Sequence, residues 1–209
     1  MKVEGDFLFS GPREEVWKIV RDPEVLATAL PGTKSLTQVG ENEFEGEMNI
    51  RVGPVAGLFA GRVVVKNEVP PESCTLSVEG KGNPGFVNGI GNIILSDQGD
   101  GTTLMKYEGD AQVGGRLASV GQRLLDTASK SMIRQGLEAL NMALLARMVP
   151  ESEGGNIEYT PPSESKFAAE VAKDISKEML SSPAVRVGIA ILIILVIAAV
   201  IWLSSNSGG

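Results

Sequence analysis

The chain has 209 residues, enough for one domain of ordinary size and an additional segment. It has no histidine and one cysteine, Cys74, which excludes Ser-His-Asp and Cys-His triads, histidine-ligated metals, intramolecular disulfides and CxxC metal sites. Nineteen Lys and Arg against 26 Asp and Glu give a net charge of −7 and a pI near 4.8, which argues against nucleic acid as the partner.

The first predicted element is a strand over 2–9, with Val3, Gly5, Phe7 and Phe9 on one face. Ser10 as cap, Pro12 and acids in the first turn signal a short helix. A second short helix runs from about Asp22, with Pro23 just inside it, to the break at Pro31-Gly32. Residues 44–52 then alternate strictly, Phe44, Gly46, Met48, Ile50 and Val52 against Glu45, Glu47, Asn49 and Arg51. Period-two alternation means a sheet with one wet face. The pattern recurs in Phe59, Gly61, Val63, Val65, in Cys74, Leu76, Val78, Gly80, and in Met105, Tyr107, Gly109, Ala111, Val113. Residues 86–96 form a further strand whose apolar face the pattern does not single out. Pro70-Pro71-Glu72 and the run from Asp97 to Gly101 are turns. About six antiparallel strands thus follow the two short helices. A long helix from about Leu117 to Met148 closes the body, its apolar stripe being Leu117, Val120, Leu124, Ala128, Met132, Leu140, Leu144 and Met148 with Gly136.

Beyond this body, residues 149–165 are rich in Pro, Gly, Ser and Glu and read as a linker extending to 183. Within it, Phe167, Val171, Ile175 and Met179 predict an amphipathic helix over 166–180. Residues 187–203 are 17 apolar residues without a break. At about 1.5 Å each they span roughly 25 Å, and Ala184, Val185 and a snorkelling Arg186 extend them toward the roughly 30 Å of a hydrocarbon core. A transmembrane helix is therefore expected over 184–203, with Trp202 at the far interface and 204–209 as a short polar tail. Lys166, Lys173, Lys177 and Arg186 flank one side and no charge flanks the other. The expected arrangement is a tail-anchored, single-pass protein of the cell membrane with its N-terminal body in the cytoplasm.

The predicted fold class is α+β, a helix-grip: a curved antiparallel sheet wrapped around the long C-terminal helix, leaving a hollow beneath it. Small inward residues (Gly5, Gly46, Gly61, Gly80, Gly109, Ala111) relieve curvature and leave space. The expected ligand cavity is lined by Phe7, Phe44, Met48, Ile50, Phe59, Val63, Leu76, Val78, Phe86, Met105, Tyr107, Gly109, Leu117, Val120, Leu124 and Met132. Tyr107 offers a hydroxyl to a ligand carbonyl. The acids Glu45, Glu47, Glu79, Glu108, Asp6 and Asp110 fall on the outer face, so no acid or base pair for catalysis emerges, and Cys74 reads as a core thiol. No catalytic or metal-binding residue is expected.

Three stretches resemble one family: Gly5-Asp-Phe-Leu-Phe-Ser-Gly-Pro-Arg-Glu-Glu-Val-Trp17; Asp22-Pro-Glu-Val-Leu26 with Leu30-Pro31-Gly32; and Val113-Gly-Gly-Arg-Leu-Ala-Ser-Val-Gly-Gln-Arg-Leu124. They are similar to the CoxG family of carbon monoxide dehydrogenase subunits, in the Bet v1/START-like (SRPBCC) superfamily, over about residues 1–148. The resemblance implies a helix-grip with a deep apolar cavity and a non-catalytic role beside aerobic molybdenum-containing carbon monoxide dehydrogenases or related hydroxylases. It implies recruitment of the dehydrogenase to the membrane and handling of a lipophilic quinone, menaquinone-like, or of a lipid, with no covalent cofactor. The alternatives are a recruitment protein without ligand, a general START-like lipid binder, or an enzyme like the superfamily's cyclases. Filling the cavity with Gly109→Phe is the substitution expected to separate carrier from recruiter.

Overall fold

The computed structural model describes residues 1–148. The linker, the 166–180 helix, the 184–203 membrane helix and the 204–209 tail all lie outside the described residues. Among the described residues, no helix is long and apolar enough to cross a membrane.

The chain order is β1 (Lys2–Phe9), α1 (Arg13–Ile19), α2 (Pro23–Ala29), β2 (Thr33–Gly40), β3 (Glu43–Val52), β4 (Val55–Val69), β5 (Ser73–Gly82), β6 (Gly85–Asp97), β7 (Thr103–Gly115), a 3₁₀ turn at Ala118–Val120, and α3 (Gln122–Met148). The strands form one seven-stranded sheet in the order β1-β7-β6-β5-β4-β3-β2, every neighbouring pair antiparallel. Strands β2 to β7 run as a meander, and β1 closes beside β7. The two short helices carry the chain between the edge strands β1 and β2.

Tight turns explain the meander. Gly53 sits at φ +57° between β3 and β4, and Gly99 and Gly101 at +79° and +85° between β6 and β7. There, Asp97 Oδ1 accepts the Gly99 N–H at 2.8 Å and Asp100 Oδ1 the Thr102 N–H at 3.0 Å. Strand β2 does not stand out in the residue pattern, because Thr33–Gly40 carries polar residues on both faces of an edge strand.

Two helix starts differ from expectation. Ser10 does not cap α1; Pro12 holds the N-cap position, and the Ser10 N–H donates to Asn141 Oδ1 on α3 at 2.8 Å. The long helix begins at Gln122 and not at Leu117, because Gly121 at φ +92° breaks it from the 3₁₀ turn.

The core lies toward one end. Phe9, Val16, Ile19, Val25, Ala29, Leu95, Met105, Ala139, Leu140 and Leu144 form one buried cluster of α1, α2, the C-terminal half of α3 and the adjoining strand ends. Thr103, fully buried there, donates its hydroxyl to the Gly11 carbonyl at 2.8 Å.

Asp22 ties this end together. Its Oδ1 accepts the N–H groups of Glu24 (3.0 Å) and Val25 (3.3 Å) at the start of α2, and its Oδ2 accepts from Arg147 Nη2 at 2.6 Å. Partial burial opposes ionisation, but Arg147 and the two N–H groups outweigh it and hold the carboxyl below its ordinary value. A depressed folded-state pKa stabilises above the unfolded value of about 3.9 and ceases to do so as pH falls through the folded value. Asp22→Ala is expected to lose about 1 kcal/mol at pH 7. The gap from wild type should shrink below about pH 4 in urea melts followed by circular dichroism.

Candidate functional site

Cross-strand register sorts the inward residues into rows. Tyr107 lies between Gly5 and Ile93, and Ile93 opposes Cys74. Gly109, Gly91, Leu76 and Val65 make the next row, then Ala111, Gly89, Val78, Val63 and Phe44, then Val113, Val87, Gly80, Gly61, Gly46 and Leu36. Phe59, Met48 and Thr33 follow, with Ile50 one step further along β3. A row crossing three successive glycines (Gly80, Gly61, Gly46) carries no side-chain bulk on the inward face, and the same glycines border a groove on the outward face.

Burial shows what this does. Leu36, Met48, Ile50, Val63, Leu76, Val78, Val87, Tyr107 and Val113 all face inward, yet each is only half-buried. In a filled interior such side chains lose nearly all contact with water. On the α3 side, Val120, Leu124 and Met132 are half-buried as well. The helix runs closer to β1 and β3 than to the strands between them. Inward-facing apolar side chains that keep solvent access beneath a helix mark out a candidate hollow beside the packed core.

The structure thus brings eleven expected lining residues to the inward sheet face: Phe7, Phe44, Met48, Ile50, Phe59, Val63, Leu76, Val78, Met105, Tyr107 and Gly109. Met105 belongs to the closed core, with Phe7 packed against it, so these two sit at the hollow's closed end. Leu117 is buried below the 3₁₀ turn, its N–H bonded to the Pro84 carbonyl at 2.9 Å. Leu124 approaches the β3–β4 turn, 3.0 Å from where a Cβ on Gly53 would stand.

Phe86 is the correction. It lies on the outward face, 41% exposed, in the series Phe86, Asn88, Ile90, Asn92, Ile94. Both faces of β6 carry apolar residues, so alternation alone does not choose between them. Pairing with β7 does: Phe86 opposes Gly114, and its ring covers that glycine, with Cδ1 2.9 Å from the place of a Cβ.

The face of α3 turned to the sheet also differs from the apolar stripe. Ala128, Gly136, Leu140 and Leu144 are buried as expected, while Met148 is exposed. Leu125, Thr127, Ser131, Gln135 and Ala139 complete the buried face. The three polar residues escape a search for apolar periodicity.

The titrating side chains of the hollow are inert near neutral pH. Burial, with some repulsion from Asp6, pushes the Tyr107 phenol above its ordinary value, so it remains a neutral donor and acceptor. Burial pushes the Cys74 thiol up against a weaker pull from Arg21, which removes thiolate character. Among the described residues, no three His, Cys, Asp or Glu side chains gather into a metal site.

A separate open groove of about 790 Å³ crosses the outward face between β2 and β6. Glu45, Glu47, Arg62, Glu79 and Lys81 line it beside Phe86. Arg62 bonds Glu43 at 2.5 Å on that face. It mixes charges of both signs with Val39, Ala60, Phe86 and three glycines, whereas the inward face is predominantly apolar, and the inward hollow is therefore the candidate site for an apolar ligand.

Comparison with known proteins agrees with this architecture. A crystal structure of a conserved protein from Geobacillus kaustophilus is 32% identical, with TM-score 0.67, covering 69% of this chain and 95% of its own. A START superfamily protein from Mycobacterium smegmatis is 12% identical, with TM-score 0.54 and coverages of 70% and 99%. An aromatase/cyclase from Streptomyces sp. R1128 is 13% identical, with TM-score 0.53 and coverages of 72% and 97%. The last two show the fold alone. No curated protein matches the chain. The model of the CoxG family of carbon monoxide dehydrogenase subunits matches residues 5–145, from the middle of β1 to the last turn of α3. With both the sheet and its covering helix inside that match, the chain belongs to the CoxG family.

Proposed function

We propose that this protein is a membrane-anchored, non-catalytic accessory protein of an aerobic molybdenum-type carbon monoxide dehydrogenase or related hydroxylase. It holds a lipophilic molecule, a quinone of the menaquinone kind, in the hollow under α3, and recruits the dehydrogenase to the cytoplasmic face of the cell membrane for electron transfer. The observation that carries this reading is the solvent-accessible apolar lining of the inward sheet face. The family supports the dehydrogenase as partner. The apolar run at 184–203 supports the anchor.

The physical logic is one of transfer cost. A long-tailed quinone leaves the bilayer for water only at about 0.8 kcal/mol per exposed CH₂ group, and an apolar hollow removes most of that penalty. A linker of about 35 residues gives a reach of roughly 30 Å, which keeps hollow, bilayer and enzyme at high mutual concentration. The neutral interior, with Tyr107 and Cys74 held protonated, supports a carrier over a catalyst.

The test is organic extraction and mass spectrometry of the full chain, isolated in native-membrane nanodiscs from its own host. The bulk lipid of the disc is subtracted with an anchor-only control. A quinone or lipid at about one per chain above that control is expected. A chain with no excess ligand that still captures the dehydrogenase would replace carriage by recruitment alone.

A further inference from the structure

The buried face of α3 carries polar side chains where packing calls for apolar ones. Thr127, Ser131 and Gln135 stand four residues apart and therefore stack along one side of the helix. Ser131 is 3% exposed and Gln135 is 5% exposed, between the apolar Leu125, Ala128 and Ala139. Gln135 lies one turn before Ala139, which belongs to the closed core, and one turn after Ser131, on the way to the half-buried Met132 and Leu124. It thus sits where the core gives way to the hollow. Gln135 Nε2 donates to Ser131 Oγ at 3.0 Å. Its Oε1 is buried and has no partner among the described residues. A buried amide oxygen without a donor forfeits its hydration for nothing, whereas a leucine there would cost no hydrogen bond.

A second such oxygen belongs to Thr33 on β2. Thr33 opposes Met48 in the β2–β3 pairing and so shares the inward face. Its Oγ1 is also buried and without a partner among the described residues. Its N–H donates to the Leu30 carbonyl at 3.2 Å, and Leu30 Cδ2 stands 3.3 Å from the place of a Cβ on Gly136, the residue after Gln135. Among the described residues, helix and sheet each leave one buried oxygen unsatisfied, on Gln135 of α3 and on Thr33 at the start of β2, and Leu30 touches the neighbourhood of both.

We propose that Gln135, supported by Thr33, is the polar anchor of the hollow, and that it selects a lipophile whose head group carries a hydroxyl. The inference rests on the carrier reading and adds the chemistry of the head group. The vacant atom of Gln135 is an acceptor, so it is met by an O–H. The hydroxyl's own oxygen is free to accept from Thr33. A keto head brings only acceptors and leaves Oε1 unmet, unless the amide turns over and Ser131 changes from accepting to donating. Applied to a quinone, the anchor holds the reduced, dihydroxy form more tightly than the oxidised form. A few directed polar groups in an apolar pocket set orientation and selectivity while the apolar wall supplies affinity.

The experiment compares 4-nonylphenol with its methyl ether, which differ in the donor, by displacement of a fluorescent lipophile from the full chain in nanodiscs. Wild type and Gln135→Leu are measured in the same discs, so bilayer partitioning cancels. Wild type is expected to favour the phenol about 10-fold relative to the variant, which binds both probes alike and melts about 2–4 °C higher. Should Gln135→Leu fail to fold, Gln135→Met makes the same comparison with a more adaptable side chain. A phenol-to-ether ratio that is the same in both proteins, or a preference for the ether, overturns the anchor while leaving the carrier reading in place. A variant that melts lower with an unchanged ratio makes Gln135 structural only and also overturns it. Failure of wild type to bind either probe removes the carrier reading and the anchor together.

Discussion

Replacing Gly80 with phenylalanine is expected to leave the protein folded and to reduce lipophile binding at least about 100-fold. A Cβ built on Gly80 meets only the Val87 carbonyl oxygen, at an ordinary 3.8 Å, and no positive φ restricts the residue. Gly80 is the β5 member of the glycine run, between Val87 and Gly61, and a Cβ there points to the inward face. A benzyl group there occupies the space a ligand needs, while a strand interior gains about 0.5–1 kcal/mol from losing a glycine. The measurement is ligand recovery by extraction, with a thermal melt alongside. Retained ligand in a folded Gly80→Phe protein would place the binding site elsewhere.

Gly109→Phe is not an equivalent wedge, although the sequence pattern favours it. A Cβ on Gly109 would stand 2.6 Å from the Ile90 carbonyl oxygen and 2.8 Å from Gly91 Cα, both backbone atoms of β6. Gly109 allows two backbones to approach, and any side chain there forces β6 and β7 apart. Loss of ligand in that variant would report damage to the sheet.

Leu144→Ala is expected to cost about 3–4 kcal/mol, whereas Met132→Ala should cost under about 1 kcal/mol. Leu144 is 1% exposed in the closed core, and its Cδ2 lies 2.8 Å from the place of a Cβ on Gly11, so truncation opens a void that the surroundings cannot fill. Met132, three turns earlier on the same helix, is half-buried beside open space and leaves no new cavity when shortened. Denaturant melts of the two variants compare the packed end with the hollow end directly. Equal, large losses at both positions would mean that the interior is filled throughout.

Much of this fold is legible in the residues because its signals are local. Period-two alternation places β1, β3, β4, β5 and β7, and the Asp22-Pro23 start and the Pro31-Gly32 break bracket α2. The inward-facing residues on those strands follow from the same alternation, since Glu45, Glu47 and Arg51 leave Phe44, Met48 and Ile50 one face to occupy. A symmetrical local signal carries no such information. Strand β6 is apolar on both faces, and β2 is polar on both. Ser10, a strong cap by residue type, is claimed by Asn141, 131 residues away.

The order of residues alone establishes the alternation of wet and dry faces, the helix that must cover the dry one, the family, and the exclusion of histidine- and disulfide-based chemistry. These depend on neighbours a few residues apart or on composition. Three features emerge only in the folded chain: the outward turn of Phe86 over Gly114, the backbone contact that closes Gly109, and the burial of Thr127, Ser131 and Gln135 on α3. Each of these depends on which strand or helix lies opposite. A residue's packing partner is set by register and crossing geometry, which no local period contains.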